Sequence, residues 1–400
     1  MKLEERFINY VKIDTMSDEY SSSSPSSMKQ FDLAKLLLKE VISLGVKDAR
    51  LTSDCLVYGT IEGDETKDTI ALIAHMDTSP EIEGGNFEPV IIKNYDGKDI
   101  KLNDKFTLSP SVFPSLNDNV GDDLIVTDGN HLLGADDKAG IAIIMQIVEY
   151  YKTHPEVNHA PIKICFTPDE EVGRGCEHFS LKEMGKAKYA YTLDGGPINA
   201  INFETFNAYA VNIDIQGVSI HPGSAKNIMV NAALLASEFV SLLPPDQIPS
   251  KTEGYEGFNH LSSINGSVDH ASIEYIVRNH DDNKAKQQLQ LFEDIAIKLR
   301  KKYPTSKIKV EIKEQYKNMR TYFDKDMGAV DLMVKALKKN NIEPLFVPIR
   351  GGTDGAFITF MGLPCPNVGN GSYNCHGRFE YASINQMYQM VEVVKSLLEA

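Results

Sequence analysis

Short apolar strands that alternate with helical segments mark the first and last parts of this chain. The runs TIALIAH (69–75), PIKICFTP (161–168) and KYAYTLD (188–194) are largely apolar, and residues 137–152 have a strongly helical pattern. Strands that are buried on both faces and connected through helices form largely parallel sheets. The sequence therefore predicts an α/β fold with helices on both faces of one sheet.

A different order of elements begins near residue 208. The pattern predicts, in order, strand 208–216, helix 226–242, strands 261–268 and 270–278, helix 282–302 and strand 307–314. This β-α-β-β-α-β order is that of a ferredoxin-like unit. We therefore predict a discontinuous sheet domain, residues 1–207 and 321–400, and a separate domain inserted into it, residues 208–320.

Further patterns complete the predicted sheet domain. They predict helices at 3–12, 28–44, 326–340 and 382–399 and a strand at 343–348. Between residues 78 and 130, the dipeptide Asp96-Gly97 has the chemistry of a tight turn. It predicts a β-hairpin at that position.

The composition limits the partners that the protein can have. With 41 basic and 56 acidic residues, the formal net charge is −15, which disfavours nucleic acid and anionic membranes as partners. The sequence shows neither a leader-peptide pattern nor an apolar run long enough to span a bilayer, so we expect a cytoplasmic protein. Its five cysteines include no CxxC pair, which argues against a disulfide framework or a thiolate zinc site.

Acidic and imidazole side chains follow the carboxyl ends of the predicted strands. His75 and Asp77 end the first apolar run, Glu170 and Glu171 follow the second, and Asp194 follows the third. Taken singly, each has a structural explanation, such as a partly buried histidine, a solvated acidic pair or an Asp-Gly turn. Open α/β sheets bind ligands at the carboxyl ends of their strands, so the joint placement favours one shared site.

Two more residues are candidates for the same site. Asp136 precedes the helix at 137–152, where an aspartate usually acts as an N-cap, and His376 lies in a late loop beside a glycine. Imidazole and carboxylate ligands without thiolate suit zinc, manganese or cobalt in an open catalytic site. The charges of two divalent cations would be balanced by Asp136, Glu171, Asp194 and one hydroxide, which leaves Glu170 free to act as a general base.

Nine motifs along essentially the whole chain carry a resemblance to a known family. They are AHMDTSPE, LLGADDKAG, FTPDEEVGRG, YTLDGG, HPGSAKNIMVNA, TEGYEGF, PIRGGTDGA, MGLPCPN and HGRFEY. Through them the chain resembles the di-zinc metallopeptidases, a family that also contains carboxypeptidase G-type enzymes, desuccinylases and aminoacylases. The resemblance implies a peptidase sheet domain with an inserted ferredoxin-like lid, and an aminopeptidase that removes the N-terminal residue from tripeptides.

The resemblance also implies a role for each matching residue of the sheet domain. Two Zn²⁺ ions per subunit, replaceable by Co²⁺ or Mn²⁺, would be bound in pairs. His75 and Asp194 would hold one ion, Glu171 and His376 the other, and Asp136 would bridge both; Asp137 is an alternative bridge. Asp77 would orient His75, and Glu170 would be the general base.

On the inserted domain, the resemblance implies four residues that bind the substrate: His221, Asn231, Arg278 and Arg350. Structural alternatives exist for them, since His221 begins a turn-like His-Pro-Gly sequence and either arginine could pair with one of the many acids. Which arginine meets the substrate carboxylate is left open. The smaller domain often mediates dimers in this family, so a homodimer is a further implication.

Two other functions fit the same residues. The metal chemistry would also serve an N-acyl amino acid deacylase or a carboxypeptidase, and a requirement for a free α-amino group would distinguish the aminopeptidase from them. A metal-binding or peptide-binding protein without catalysis is the second alternative. Such a protein would have no need for Glu170.

Overall fold

The structure is a computed structural model that describes residues 1–400. The helices are α1 Leu3–Val11, α2 Gln30–Ser43, α3 Ala135–Thr153, α4 Leu181–Met184, α5 Ala232–Ser241, α6 Asp282–Lys302, α7 Arg320–Phe323, α8 Gly328–Lys339, α9 Asp354–Met361 and α10 Ile384–Leu398. The strands are β1 Arg50–Leu51, β2 Val57–Ile61, β3 Ile70–His75, β4 Val90–Ile92, β5 Ile100–Lys101, β6 Thr107–Leu108, β7 Leu124–Val126, β8 Ile162–Thr167, β9 Tyr189–Leu193, β10 Ala200–Asn202, β11 Asn207–Gln216, β12 Phe258–Gly266, β13 His270–Asn279, β14 Lys307–Tyr316, β15 Leu345–Phe346, β16 Asn367–Val368, β17 Ser372–Tyr373 and β18 Tyr381–Ser383. None of the helices combines the length and the apolar character needed to cross a bilayer.

The chain forms two compact units. The first unit comprises Met1–Phe203, Thr321–Val347 and Thr353–Ala400, and the second unit comprises Glu204–Arg320 and Pro348–Gly352. The second unit therefore begins at Glu204 rather than at residue 208. It also includes the glycine-rich segment 348–352, which the sequence assigned to the sheet domain.

Hydrogen bonds explain these boundaries. The Thr205 N–H donates to Asn318 Oδ1 at 3.0 Å, and the Asn318 N–H donates to Asn207 Oδ1 at 3.0 Å, so the two ends of the insertion are fixed to each other. Farther along the chain, the Ile349 carbonyl oxygen lies 3.1 Å from His280 Nε2. The segment that contains Ile349 is thereby attached to the second unit.

The first unit is built around an eight-stranded sheet with the strand order β1-β2-β8-β3-β9-β16-β10-β15. The central strands β8, β3, β9 and β16 are parallel to one another, whereas the pairs β1-β2, β2-β8 and β16-β10 are antiparallel. The architecture is therefore mixed α/β, with parallel pairing at the centre of the sheet. His75 of β3 lies opposite Thr167 of β8, so the carboxyl ends of these two strands are side by side.

The predicted hairpin at Asp96-Gly97 is wrong. A turn does form there, with Gly97 at a φ of 83°, but the strands on either side of it do not pair with each other. Strand β4 pairs with β7, and β5 pairs with β6. The Tyr95 N–H donates to the Asp122 carbonyl oxygen at 2.7 Å, and the Gly121 N–H donates to the Tyr95 carbonyl oxygen at 2.8 Å. Pairing with this distant segment replaces the local hairpin.

The second unit contains a four-stranded antiparallel sheet with the strand order β12-β13-β11-β14. Along the chain the order is β11, α5, β12, β13, α6 and β14, and Phe239 of α5 and Phe292 of α6 lie in its buried core. Helix α5 begins at Ala232 rather than at residue 226. The residues before it are not helical because Val230 pairs with Val218 in an isolated β-bridge.

Arg6 connects three helices of the first unit. Its side chain is 1% exposed and donates to Glu40 of α2 at 2.7 Å and to Gln146 and Glu149 of α3 at 2.8 Å each. The Tyr10 hydroxyl donates to the same Glu40 carboxylate at 2.6 Å. One buried cation thus neutralises two acids at a point where α1, α2 and α3 meet.

Replacing Arg6 by methionine should destabilise the protein strongly. The change leaves Glu40 and Glu149 without their cation, and loss of one partner from such a buried network costs about 3 kcal/mol. Lys188→Met is the matched control, because Lys188 and Asp68 form a pair whose side chains are 51% and 60% exposed. An exposed pair contributes less than about 1 kcal/mol. Urea unfolding would test this, and equal losses in both variants would contradict the role of Arg6.

Candidate metal centre

The carboxyl ends of three neighbouring strands carry the predicted site residues. His75 is the last residue of β3, and Asp194 directly follows β9. Glu170 and Glu171 lie in a short 3₁₀ helix, Glu170–Val172, soon after β8. Since β8, β3 and β9 are parallel neighbours, their ends place these side chains at one edge of the sheet.

Asp136 lies between two histidines. His75 Nε2 is 2.9 Å from Asp136 Oδ1 and 3.8 Å from Asp194 Oδ1. On the other side, His376 Nε2 is 3.5 Å from Asp136 Oδ2 and 2.9 Å from Glu171 Oε2. The structure therefore brings all five predicted ligands together, with one imidazole and one further carboxylate on each side of Asp136.

The carboxylates of this cluster lack cationic partners other than the histidines. Glu171 is 4% exposed at its side chain, and its Oε1 atom is buried with no hydrogen-bond partner. Burial raises the pKa of Glu171 to about 7. Burial and the charge of Asp136 together raise the pKa of Asp194 well above its ordinary value. Although burial alone would raise it, hydrogen bonds with His376 and His75 hold the pKa of Asp136 well below its ordinary value. Divalent cations would satisfy these acids, and the nitrogen and oxygen donors suit them.

Asp137 has a different role from Asp136. Two sets of residues have ligand atoms within 4.8 Å of one another: His75 with Asp136 and Glu171, and His75 with Asp137 and Asp194. However, Asp137 Oδ2 accepts from the His75 N–H at 3.2 Å, and Oδ1 accepts from the Gly140 N–H at 3.2 Å and from Asn370 Nδ2 at 2.8 Å. Both of its oxygens are already occupied, which favours Asp136 as the bridging residue.

Asp137, rather than Asp136, provides the N-cap interaction of α3. Asp136 and Asp137 have non-helical ψ angles of 102° and 34°, so the regular part of α3 begins after them. The bond from the Gly140 N–H to Asp137 Oδ1 has the spacing of an N-cap interaction. Asp136 therefore does not cap the helix, and its carboxylate is available to the histidines.

Asp77 holds both His75 and the turn that carries the two glutamates. Its Oδ1 atom lies 3.4 Å from His75 Nδ1, and its carbonyl oxygen lies 3.0 Å from the same nitrogen. The carboxylate also accepts from the N–H groups of Glu170 at 3.0 Å and Glu171 at 3.1 Å. The second set of bonds was not predicted from the sequence.

Glu170 differs from Glu171 in its surroundings. Burial raises the pKa of Glu170 well above its ordinary value, and the charges of Asp194 and Asp354 act in the same direction. Its carboxylate has neither an ion pair nor a histidine within hydrogen-bond distance among the contacts of the chain, whereas Glu171 contacts His376. The two adjacent acids are thus placed in different environments.

Three more buried carboxylates surround the site and were missed by the sequence reasoning. Asp169 accepts from the Ser26 N–H and from Gln30 Nε2, both at 2.6 Å, and Asp354 accepts from the Thr167 hydroxyl at 2.7 Å. Burial raises the pKa of Asp354 to about 6. The third is Glu380, which accepts from backbone N–H groups. All three lie in the quoted motifs FTPDEEVGRG, PIRGGTDGA and HGRFEY, which is the signal that could have found them.

Two of the predicted substrate-binding residues have local contacts in the second unit. Asn231 caps α5, since its Oδ1 accepts from the Ala233 N–H at 3.0 Å and the Leu234 N–H at 3.2 Å. His221 is exposed, and its Nδ1 accepts from the Gly223 N–H at 3.1 Å. These contacts leave the substrate-binding role of both residues a prediction.

The two predicted arginines of the second unit also contact main-chain oxygens. Arg278 Nη1 donates to the carbonyl oxygens of Val277 at 3.1 Å and Tyr209 at 3.3 Å. Arg350 makes more such bonds, donating from Nη1 to Gly254 and Glu256 at 2.8 Å each and from Nη2 to Thr252. Their role in carboxylate binding likewise stays a prediction.

Comparisons with known proteins identify the family of this chain. The model of peptidase family M20/M25/M40 matches residues 126–400. A peptidase T from Clostridium perfringens (strain 13 / Type A) is 48% identical over 400 residues, which cover 100% of this chain and 98% of that protein.

Solved structures share the fold. The aminopeptidase PepT from Bacillus cereus ATCC 10987 has a TM-score of 0.77 at 23% identity, covering 100% of this chain and 97% of that one. A dinuclear metal binding peptidase of the M20 family from Bacillus subtilis has a TM-score of 0.66 at 12% identity, covering 99% of this chain and 96% of that one. The family match and the full-length relative together show that this chain belongs to peptidase family M20/M25/M40.

Proposed function

We propose that this protein is a metal-dependent aminopeptidase that removes the N-terminal residue from tripeptides. The observation that carries the proposal is Asp136, whose two carboxylate oxygens face different histidines, each with a further carboxylate beside it. Two-metal hydrolases use such an arrangement to clamp the reacting oxygens. The relative named peptidase T, 48% identical over the whole chain, supports an aminopeptidase among the activities of the family.

The residues fit a pair of divalent cations, and we infer two Zn²⁺ per subunit, with Co²⁺ or Mn²⁺ as substitutes. His75 and Asp194 would hold one ion, Glu171 and His376 the other, and Asp136 both. Bound there, the ions would polarise the scissile carbonyl and lower the pKa of the attacking water. The buried and unpartnered Oε1 atom of Glu171 supports this assignment.

Glu170 would act as the general base. It is fixed through its N–H to Asp77, in the same turn as Glu171, yet its carboxylate is not paired with either histidine. Burial raises its pKa, and with it the affinity of the carboxylate for the proton that it would take from water and later donate to the leaving amine. The turn would thus divide two functions between adjacent acids, with Glu171 as a ligand and Glu170 as the base.

Further expectations belong to the same proposal. They concern the second unit as a ferredoxin-like lid that mediates a homodimer, the four substrate-binding residues His221, Asn231, Arg278 and Arg350, and the cytoplasmic location. The β-α-β-β-α-β order and the strand order of the second unit support the first of these.

A matched panel of peptides tests the substrate class. With Zn²⁺ supplied, we expect release of the N-terminal residue from a free tripeptide, and little turnover of its N-acetylated form, the matching dipeptide or the matching tetrapeptide. Chromatography of the products identifies which bond is cut. Preference for the acetylated peptide would instead assign a deacylase, and release of the C-terminal residue a carboxypeptidase. No hydrolysis of any of the four peptides by the metal-bound protein would favour a binding protein without catalysis.

Substitutions at Glu170 and Asp136 should separate the base from the ligand. Glu170→Ala should retain the metal content and lose about 10²–10⁴-fold in kcat, the usual contribution of a general base. Asp136→Ala should lose metal as well as activity, because Asp136 faces both histidines. Metal content would be measured by elemental analysis alongside kcat. Equal loss of metal in both variants would refute the division of roles.

Removal of the metals should be reversible and dependent on pH. A chelator should abolish activity and lower the unfolding temperature, because ligands that bind only the folded state stabilise it. Since His75 and His376 must be neutral to bind a cation, protons compete with the metal, and the apparent affinity should fall as the pH is lowered. Calorimetric titration of the metal-free protein at several pH values checks this, and an affinity independent of pH would contradict ligation by the histidines.

A further inference from the structure

Glu380 is a fully buried carboxylate that lies beside the candidate metal centre and has no assigned role. Its side chain is 0% exposed, and no lysine, arginine or histidine forms an ion pair with it. Instead, Oε2 accepts from the Gly134 N–H at 2.6 Å, and Oε1 accepts from the Asp136 N–H at 3.0 Å. Burying a carboxylate without a cation in direct contact is costly, so these two main-chain bonds compensate for part of its lost hydration.

The two N–H groups belong to the irregular turn that leads into α3. Gly134 has a left-handed backbone with a φ of 74°, and Asp136 has a ψ of 102°, so neither N–H can join the regular hydrogen bonds of a helix. Asp137 caps the helix itself. Glu380 supplies the remaining acceptors from 244 residues away along the chain. The Asp136 carboxylate is therefore not needed as a hydrogen-bond acceptor for the N–H groups of its own turn, and both of its oxygens can face the histidines.

Glu380 also belongs to the turn that carries His376. The Glu380 N–H donates to the Gly377 carbonyl oxygen at 3.1 Å, and Asn374 Nδ2 donates to the Phe379 carbonyl oxygen at 3.0 Å. These bonds close the segment 374–380 on itself, with His376 in a left-handed conformation at a φ of 63°. The segment 374–380, which contains His376, therefore also binds the main-chain N–H of Asp136 through the Glu380 carboxylate.

We propose that Glu380 is a positioning residue that links the His376 segment to the Asp136 turn and thereby sets the affinity of the centre for both metal ions. This inference rests on the proposed function, since it assumes that Asp136 and His376 bind metal. Residues that orient metal ligands typically change metal affinity or activity by about 10–100-fold when they are replaced. Here the orientation acts through the main chain of Asp136 rather than through a ligand side chain.

The main test is Glu380→Gln in the full-length protein. The amide keeps the shape of the side chain, but only one of its two ends can accept a hydrogen bond, so one of the two N–H groups then faces another donor. We expect the affinity of the metal-free protein for Zn²⁺ to fall by about 10–100-fold for both ions in calorimetric titration. At saturating metal, kcat should fall while KM changes little, and the visible spectrum of the Co²⁺-loaded protein should differ from that of the wild type.

Ser383→Ala provides the matched control. Ser383 is buried three residues farther along, and its hydroxyl caps α10 by accepting from the Gln386 N–H at 3.2 Å, without contact to a predicted ligand. Its loss should lower the unfolding temperature and leave the Zn²⁺ affinity and the Co²⁺ spectrum unchanged. An equal loss of metal affinity in both variants would show that Glu380 acts only through general stability and would overturn the proposal.

Glu380→Asp covers the case in which the glutamine variant does not fold. The shorter side chain keeps the charge but reaches only one N–H group at full strength, so we expect an intermediate metal affinity. Wild-type affinity in Glu380→Asp, or in a folded Glu380→Gln, would overturn the role of Glu380. If the wild-type protein itself fails to bind two metal ions, the proposed metal centre fails, which is a separate result.

Discussion

The excess of buried acids over buried cations at one edge of the central sheet is the constraint on which the site depends. Asp136, Glu171 and Asp194 come together around two histidines, and Glu171 keeps one buried oxygen with no partner at all. Such an arrangement would be strongly unfavourable if every acid were charged and no cation were present. The parallel register of the sheet enforces this crowding, because it aligns the ends of the strands that carry the acids.

Two classes of carboxylate can be distinguished around this edge by what their oxygens accept. In the first class the oxygens accept from N–H, amide or hydroxyl donors of the chain; its members are Asp77, Asp137, Asp169, Asp354 and Glu380. In the second class the oxygens accept from none of these donors and either face histidines or have no partner, as in Asp136 and Glu171. Two members of the first class hold the backbone of the second, since Asp77 accepts from the Glu171 N–H and Glu380 from the Asp136 N–H.

The candidate metal ligands were easier to recognise from the sequence than the residues that support them. The ligands follow apolar strands or begin a helix, and these positions can be recognised from pattern and motif. By contrast, Glu380 acts on the backbone of a turn 244 residues earlier, and no spacing or periodicity records such a contact. The failed hairpin at Asp96-Gly97 has the same cause, since pairing of β4 with the distant β7 overrides the preference of a local turn. Asp136 shows the limit of local rules, because its neighbour is the residue that caps the helix.

In the turn after β8, one carboxylate, that of Asp77, holds two adjacent acids, Glu170 and Glu171, whose side chains have different surroundings. Asp77 accepts from the N–H groups of both Glu170 and Glu171, so the backbone of the two residues is held equally well. Their side chains then diverge, and only Glu171 reaches a histidine, at 2.9 Å. A glutamate held as firmly as a ligand, buried like a ligand and yet unpaired with imidazole is suited to exchange a proton. Burial chiefly, with smaller contributions from the charges of Asp194, Asp354 and Glu171, raises the pKa of Glu170 well above its ordinary value. A raised proton affinity is what the proposed role of general base requires.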